Sequence, residues 1–229
     1  MAPLQSALRA GPVLESVAER ASTELEMLVG IGVTIEAAAG QTIMLEGDPC
    51  THCYRVLSGA VRLYKGTADG RRQLIDFLVP GECFGLLGAR YSYGVEAITR
   101  ATLVRASRAT LAAAVREQPD MAERLIERAA AELARAHEQI LLLGRKNAQE
   151  KVASLLLDLA RRLGADPNRP VFRLPISRQE MADQLGLTIE TVSRTITHLR
   201  EDGLIALMTP HEITLRRPAA LANIAEGSG

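Results

Sequence analysis

No stretch of the sequence approaches the roughly 18 uninterrupted apolar residues that a membrane-spanning helix needs, so no membrane partner is expected. The N-terminus also lacks the basic-then-apolar layout of a signal peptide, which points to a cytoplasmic protein. Cysteine is scarce and odd in number, three in 229 residues. Reduced thiols, a metal site or redox chemistry fit that count better than a structural disulfide framework. Excess charge of either sign is missing too, with 27 Lys and Arg set against 27 Asp and Glu. Bulk electrostatics therefore gives no hint of a nucleic-acid partner, and any such case must rest on motif and local geometry. Aromatic residues make up only 3% of the chain, yet 47% is hydrophobic, enough at this length for two ordinary domains with proper cores.

Residues 1–30 carry loosely patterned helices, after which a run of glycines from Gly40 to Gly88 punctuates short apolar segments. That is the spacing of β-strands and turns. Ile43 to Leu45, Tyr54 to Leu57, Val61 to Tyr64 and Leu74 to Leu78 alternate or form short buried-strand patterns, with Thr67 to Gly70 as a hairpin loop. A small antiparallel barrel or roll accommodates them all.

From about Pro119 the period changes. Ile126, Ala129, Leu133, Ala136, Ile140 and Leu143 recur at alternating steps of three and four, a heptad seam. Arg124, Glu127, Arg128, Glu132, Arg135 and Glu138 surround it with charge. Such a helix could lie along its own domain or pair with a copy of itself. A strict narrow stripe over roughly 25 residues favours a two-stranded coiled coil. Gly144 and Asn147 interrupt the stripe; a second helix then presents Val152, Leu155, Leu156, Leu159 and Leu163 on one face until Gly164 and Pro167 stop it. A domain boundary is expected at this interruption.

Beyond the polar loop Ala165 to Pro170 and the short segment Val171 to Leu174 comes the most informative stretch. Ser177-Arg178-Gln179-Glu180 has the form of a capping box, in which the serine hydroxyl accepts a backbone N–H and the glutamate reaches back. The helix it starts carries Met181, Ala182 and Leu185 inward and ends at Gly186, where a tight turn needs a residue tolerant of positive φ. Thr188 caps a second helix with Val192, Ile196 and Leu199 facing inward and Glu190, Ser193, Arg194 and Thr197 facing out. After Gly203, Leu204 to Leu207 and Glu212 to Leu215 flank Met208-Thr209-Pro210-His211 as a β-hairpin wing. Helix, glycine turn, polar exposed helix and wing in this order predict a winged helix-turn-helix.

Ser177 to Leu215 resembles the DNA-binding domain of the Crp/Fnr superfamily, and Leu187-Thr188-Ile189-Glu190-Thr191-Val192-Ser193-Arg194 resembles its Fnr/FixK branch. The likeness extends backwards: Val79-Pro80-Gly81-Glu82-Cys83-Phe84-Gly85 and the Ser58-Gly59 turn resemble the cyclic-nucleotide-binding-type roll, and residues 120–146 the family's dimer helix. The resemblance implies an α+β chain: a β-roll sensor over residues 1–118, a dimerisation helix over 119–146 and a winged helix-turn-helix over 147–229. It further implies a homodimeric transcription regulator, an activator partnered by RNA polymerase, acting on double-stranded DNA with TTGAT half-sites. Two recognition helices would enter successive major grooves about 34 Å apart. Glu190, Ser193 and Arg194 take the base-reading places, and the chemistry agrees: arginine donates twice to guanine, glutamate accepts from cytosine, and serine meets thymine. Ser177, Arg178, Gln179, Thr188 and Thr191 would lie by backbone phosphates, with an ordinary solvated arginine as the lesser alternative for Arg178.

Family members that bind cyclic AMP carry a glutamate after the glycine of this stretch and an Arg-Ser pair on a later strand. Here Leu86 stands for the acid and Val95-Glu96 for the pair; an apolar residue and an anion facing a phosphate would be unfavourable, so no cyclic-nucleotide binding is expected. Fnr carries an N-terminal cysteine cluster for an iron–sulfur centre, whereas residues 1–49 here contain no cysteine. The thiols that remain, Cys50, Cys53 and Cys83, admit two readings: a redox or metal sensor completed by His52 or an external ligand, or small residues of the roll. For haem, His52 and His137 are axial candidates with nothing further to recommend them. Thiol oxidoreductase chemistry at Cys50 and Cys53 would need a βαβ setting, against which Pro49 and the all-β surroundings argue.

Overall fold

The computed structural model describes residues 27–67, 72–118, 120–166 and 170–227. The chain begins there with α1 (Met27–Ile31) and runs through β1 (Val33–Ala37), β2 (Thr42–Met44), β3 (His52–Ser58), β4 (Val61–Gly66), β5 (Arg72–Leu78), β6 (Cys83–Phe84), β7 (Gly94–Ala97) and β8 (Ala101–Ser107). Helices α2 (Arg108–Glu117), α3 (Asp120–Arg145) and α4 (Ala148–Arg162) follow. The C-terminal part comprises β9 (Val171–Arg173), α5 (Arg178–Leu185), α6 (Ile189–Glu201), β10 (Ile205–Thr209), β11 (Glu212–Leu215) and α7 (Pro218–Ala225). The described residues form two compact units that divide between Leu133 and Ala134, inside α3. The fold is α+β.

In the first unit two antiparallel sheets, ordered β1-β8-β3-β6 and β2-β7-β4-β5, make a roll. Strand alternation decides what each face holds. Tyr54 and Val56 of β3, Leu103 of β8, Val61 and Leu63 of β4 and Val95 of β7 meet between the sheets, and Tyr54 stacks on Phe84 with ring centroids 4.9 Å apart. The other face of β3 and β8 is buried as well, because Cys53 and Ala106 pack beneath Leu28 of α1, Leu111 of α2 and Met121 of α3. That second cover explains why β3 is buried on both faces from Cys53 to Val56 rather than at alternate residues. At the Ser58-Gly59 turn Gly59 has φ +78, and a Cβ there would collide with the Arg100 carbonyl, so only glycine closes this hairpin.

The expected strands at 43–45, 54–57, 61–64 and 74–78 coincide with β2, β3, β4 and β5. β4 and β5 pair antiparallel, while of the expected loop Thr67 to Gly70 all but Thr67 lies outside the described residues, as do Pro119, Pro167 and most of the N-terminal helical stretch. α2 was not foreseen. Ser107 caps it by accepting from the Thr110 N–H, and only Leu111 is fully buried, which is too weak a stripe to read. Gly144 does not interrupt α3, which continues to Arg145. The break falls at Lys146 and Asn147, where Asn147 and Glu150 form a capping box for α4.

In the second unit α4 buries Val152, Leu155, Leu156 and Leu159, while Leu163 serves as its C-cap. α4 packs on α6 and α7. β9 is more than a lead-in: it joins the wing as the third strand of the sheet β10-β11-β9, with Phe172 opposite Ile213.

Candidate nucleic-acid interface

The Ser177 hydroxyl accepts the Glu180 N–H at 3.2 Å and the Glu180 carboxylate accepts the Ser177 N–H at 2.7 Å, so α5 begins with both halves of the capping box. Met181, Ala182 and Leu185 are buried on its inner face. Gly186 ends it in the left-handed region, φ 61 and ψ 41, and the Thr188 hydroxyl starts α6 by accepting the Thr191 N–H at 3.2 Å. On α6, Val192, Ile196 and Leu199 are buried. Thr195 joins them by donating its hydroxyl to the Thr191 carbonyl at 2.8 Å.

The opposite face is what this packing leaves free. Glu190, Ser193 and Arg194 are exposed and Thr197 is half-buried, at spacings that stack them along one side of the helix. Its own backbone N–H, the Thr188 side chain and the nearby Arg194 hold the Glu190 carboxyl below its ordinary pKa. It therefore stays an ionised acceptor at neutral pH. Arg194 donates Nε to the Glu190 carbonyl at 3.4 Å, which leaves its terminal N–H groups for a planar, two-pronged contact.

Ser177, Gln179 and Thr188 are exposed at the two helix starts, with Thr191 half-buried beside them. Gln179 donates to Asp183 at 2.8 Å. Arg178 lies differently from an ordinary solvated arginine: its guanidinium contacts Met181 Sδ at 3.4 Å and the Pro210 carbonyl of the wing turn at 3.5 Å, and burial lowers its pKa. It ties α5 to the wing while keeping other guanidinium donors for an anion.

Two side chains outside the motif escaped the sequence reading. Lys151 of α4, buried, donates Nζ to the Leu185 carbonyl at 3.1 Å, and Gln139 of α3 donates Nε2 to the Gln184 carbonyl at 3.1 Å. Both satisfy carbonyls that the end of α5 leaves without helical partners.

Along α3 the expected seam lies bare: Ile126, Leu133, Ile140 and Leu143 are exposed at 69%, 58%, 67% and 44%, with Ala129 half-buried and Ala136 exposed beside them. Exposed large apolar residues repeating on one helix face mark a surface that requires a cover.

Residues 150–224 match the Crp-like helix-turn-helix domain and residues 34–118 the cyclic nucleotide-binding domain. The nitrogen fixation regulation protein FixK of Azorhizobium caulinodans is 42% identical over 210 residues, 90% of this chain and 85% of that protein. The chain belongs to the Crp/Fnr family. Its place is in the FixK-like branch: the transcriptional activator protein FnrL of Cereibacter sphaeroides is 41% identical over 192 residues, 81% of this chain and 77% of that one. The structure of FixK2 from Bradyrhizobium japonicum superposes with a TM-score of 0.79 at 36% identity, covering 85% of this chain and 97% of that chain. This Crp/Fnr chain is a DNA-binding transcription regulator, and its relatives are regulators rather than enzymes.

The roll of this Crp/Fnr protein holds a cleft of about 60 Å³ lined by Met44, Gly85, Leu86, Leu87, Tyr93 and Glu132 among others. Its lining mixes apolar Met44, Leu86 and Leu87 with polar Tyr91, Ser92 and Tyr93, and the charged side chain it presents is the Glu132 carboxylate, which would repel a phosphate rather than hold one. Glu96, however, is not turned towards a ligand as the sequence suggested. Val95 fills the core, so its neighbour projects from the other face of β7, where Glu96 pairs with Arg62 and with Arg72 at 2.6 Å.

All three cysteines are buried and free. Cys53 and Cys83 share the helix-covered cluster and Cys50 the inter-sheet core. Cys50 donates to the Gly85 carbonyl at 3.3 Å and receives an Arg108 N–H at 3.3 Å. Burial raises the Cys53 thiol to about 11 and the Cys83 thiol to about 12. Among the described residues no group of three or more His, Cys, Asp or Glu could hold a metal, and His52 and His137 have no such company. The thiolate is the reactive form. At pH 8, Cys53 and Cys83 are therefore expected to resist iodoacetamide in the folded protein and to react on unfolding; rapid alkylation of either one, read by peptide mass, would overturn their assignment as core residues.

Proposed function

We propose that this regulator works as a cytoplasmic homodimer that binds a pseudo-palindrome with TTGAT half-sites and activates transcription by contact with RNA polymerase, without cyclic AMP. The observation that carries the reading is the exposed face of Glu190, Ser193 and Arg194 at the start of α6, the part of a recognition helix that meets base edges in the major groove. Arg194 reads guanine, Glu190 cytosine and Ser193 thymine. Ser177, Gln179, Thr188 and Thr191 set the register on phosphates, and Arg178 does so from its anchorage at the wing. The dimer rests on the bare seam of Ile126, Ala129, Leu133, Ala136, Ile140 and Leu143. The working division is a roll over 1–118, the dimer helix over 119–146 and the DNA-binding part over 147–229. Among the described residues no helix is long and apolar enough to cross a membrane. The likeness to FnrL, a transcriptional activator protein, supports the activator role, and the polymerase partner rests on the family resemblance.

Titration of a labelled TTGAT palindrome against a scrambled duplex at two salt concentrations tests the reading. Specific binding is expected to exceed non-specific binding by about 10³-fold or more. Equal affinity for both duplexes would refute it. In the same assay cyclic AMP is expected to leave the affinity unchanged, and calorimetry to register no heat of binding. A cyclic-AMP-dependent shift would overturn the ligand-independent part alone.

A further inference from the structure

We infer that Gln139 is a positioning residue that links the dimer seam to the recognition helix and thereby sets the half-site spacing the protein accepts. The inference rests on the dimer proposed above. The last carbonyls of α5 point past the turn that aims α6. Ala182 O is taken by the N–H groups of Gly186 and Leu187, but Gln184 O and Leu185 O have no helical donor ahead of them. Each is met by a side chain from a different preceding helix, Gln139 of α3 and Lys151 of α4, both at 3.1 Å. Lys151 also brings a positive charge to the negative end of the α5 dipole.

The place of Gln139 on α3 gives its bond a second consequence. It adjoins Ile140 in sequence and lies one turn before Leu143, and Leu143 Cδ2 approaches Gly186 to within 3.7 Å of where a Cβ would stand. One turn of α3 therefore presents Ile140 to a partner helix and holds the interhelical turn with Gln139 and Leu143. When two copies meet along the seam, the rotation of α3 about its axis becomes fixed, and the amide passes that rotation to the start of α6. Two recognition helices so fixed suit one separation between half-sites better than its neighbours, because each base pair added or removed rotates the second groove as well as displacing it.

Gln139→Ala removes the donor, Gln139→Glu keeps the size but places an acceptor and a negative charge against a carbonyl, and Gln139→Lys restores a donor. Affinity is measured for palindromes at the natural separation, for separations one base pair shorter and longer, and for a single half-site; sedimentation and thermal unfolding run alongside. Wild type is expected to prefer the natural separation. In Gln139→Ala and Gln139→Glu that preference is expected to fall about three- to tenfold, the range of one lost hydrogen bond. Single half-site affinity and the dimer should stay unchanged, the unfolding midpoint should fall only by the few degrees that one hydrogen bond supplies, and Gln139→Lys should recover the preference. An unchanged spacing profile in both variants of a dimeric protein would overturn the coupling, and loss of the dimer on Gln139→Ala would reassign the residue to the seam. A wild type that sediments as a monomer with a flat profile would instead defeat the dimer reading on which the coupling rests.

Discussion

Ile140→Asp is expected to turn the protein into monomers and to lower its affinity for a palindromic site by about 10²- to 10⁴-fold, the gain that joining two binding modules supplies. The size of the effect comes from where Ile140 sits. It is 67% exposed in the single chain, so an aspartate there costs the isolated chain little, and surface changes of this kind fall within about 0.5 kcal/mol. In a paired seam the same carboxylate would be buried in each of two copies facing apolar neighbours, without a partner charge, which costs several kcal/mol in a real protein interior. The variant should therefore fold and bind a single half-site normally, while sedimentation shows half the mass and the unfolding temperature falls only by what dimerisation lends the wild type. Leu125, which adjoins the seam residue Ile126, provides the contrast. Leu125 packs against the cluster containing Leu28, Cys53 and Leu111, so Leu125→Asp should damage folding of the roll rather than association. A dimer that persists in Ile140→Asp would mean that the exposed stripe is covered in some other way.

The part of the molecule that could be read from its residues is the part whose signals are local. Ser177 with Glu180, Gly186 and Thr188 each act on backbone groups within three or four positions, so the order of letters is also the order of contacts, and α5, the turn and α6 stand where those letters place them. The roll was legible as a class for a similar reason, since turn glycines and short apolar runs are local. Its register was not. Which face of β7 meets the core depends on pairing with β4 and β2, and a shift of one residue turns every side chain over; the expected orientation of Glu96 failed on that point. The same holds for Gln139 and Lys151, whose carbonyl partners lie 45 and 34 residues away in sequence. Nothing near either residue announces its partner. α7 carried one usable sign, Pro218 at its first turn, a position proline favours because the missing N–H has no helical acceptor to lose. Its small apolar residues show no stripe to go with that sign.

Arg194→Ala is expected to erase discrimination for the guanine of the half-site at a cost of about 1–3 kcal/mol per half-site, felt twice on a palindrome. The side chain is exposed on α6 and held at Nε, which donates to the Glu190 carbonyl at 3.4 Å. That bond orients the guanidinium plane and spares the terminal N–H groups for the O6 and N7 acceptors that guanine alone presents together in the major groove. Lysine at this position keeps the charge but loses the fork, so Arg194→Lys should retain most of the non-specific affinity and little of the guanine preference. The helix itself should not notice either change, because Val192, Ile196 and Leu199 are buried on the opposite side and the Thr188 cap is untouched. Competition between the TTGAT palindrome and duplexes with adenine, cytosine or thymine in place of the guanine reads the effect directly. A phosphate-contacting arginine would behave otherwise: its loss would weaken all four duplexes alike and reduce the salt dependence by about one counterion per half-site. Should Arg194→Ala keep the wild-type ranking of the four, the residue does not read the base, and the assignment of the α6 face would pass to Glu190 and Ser193 alone.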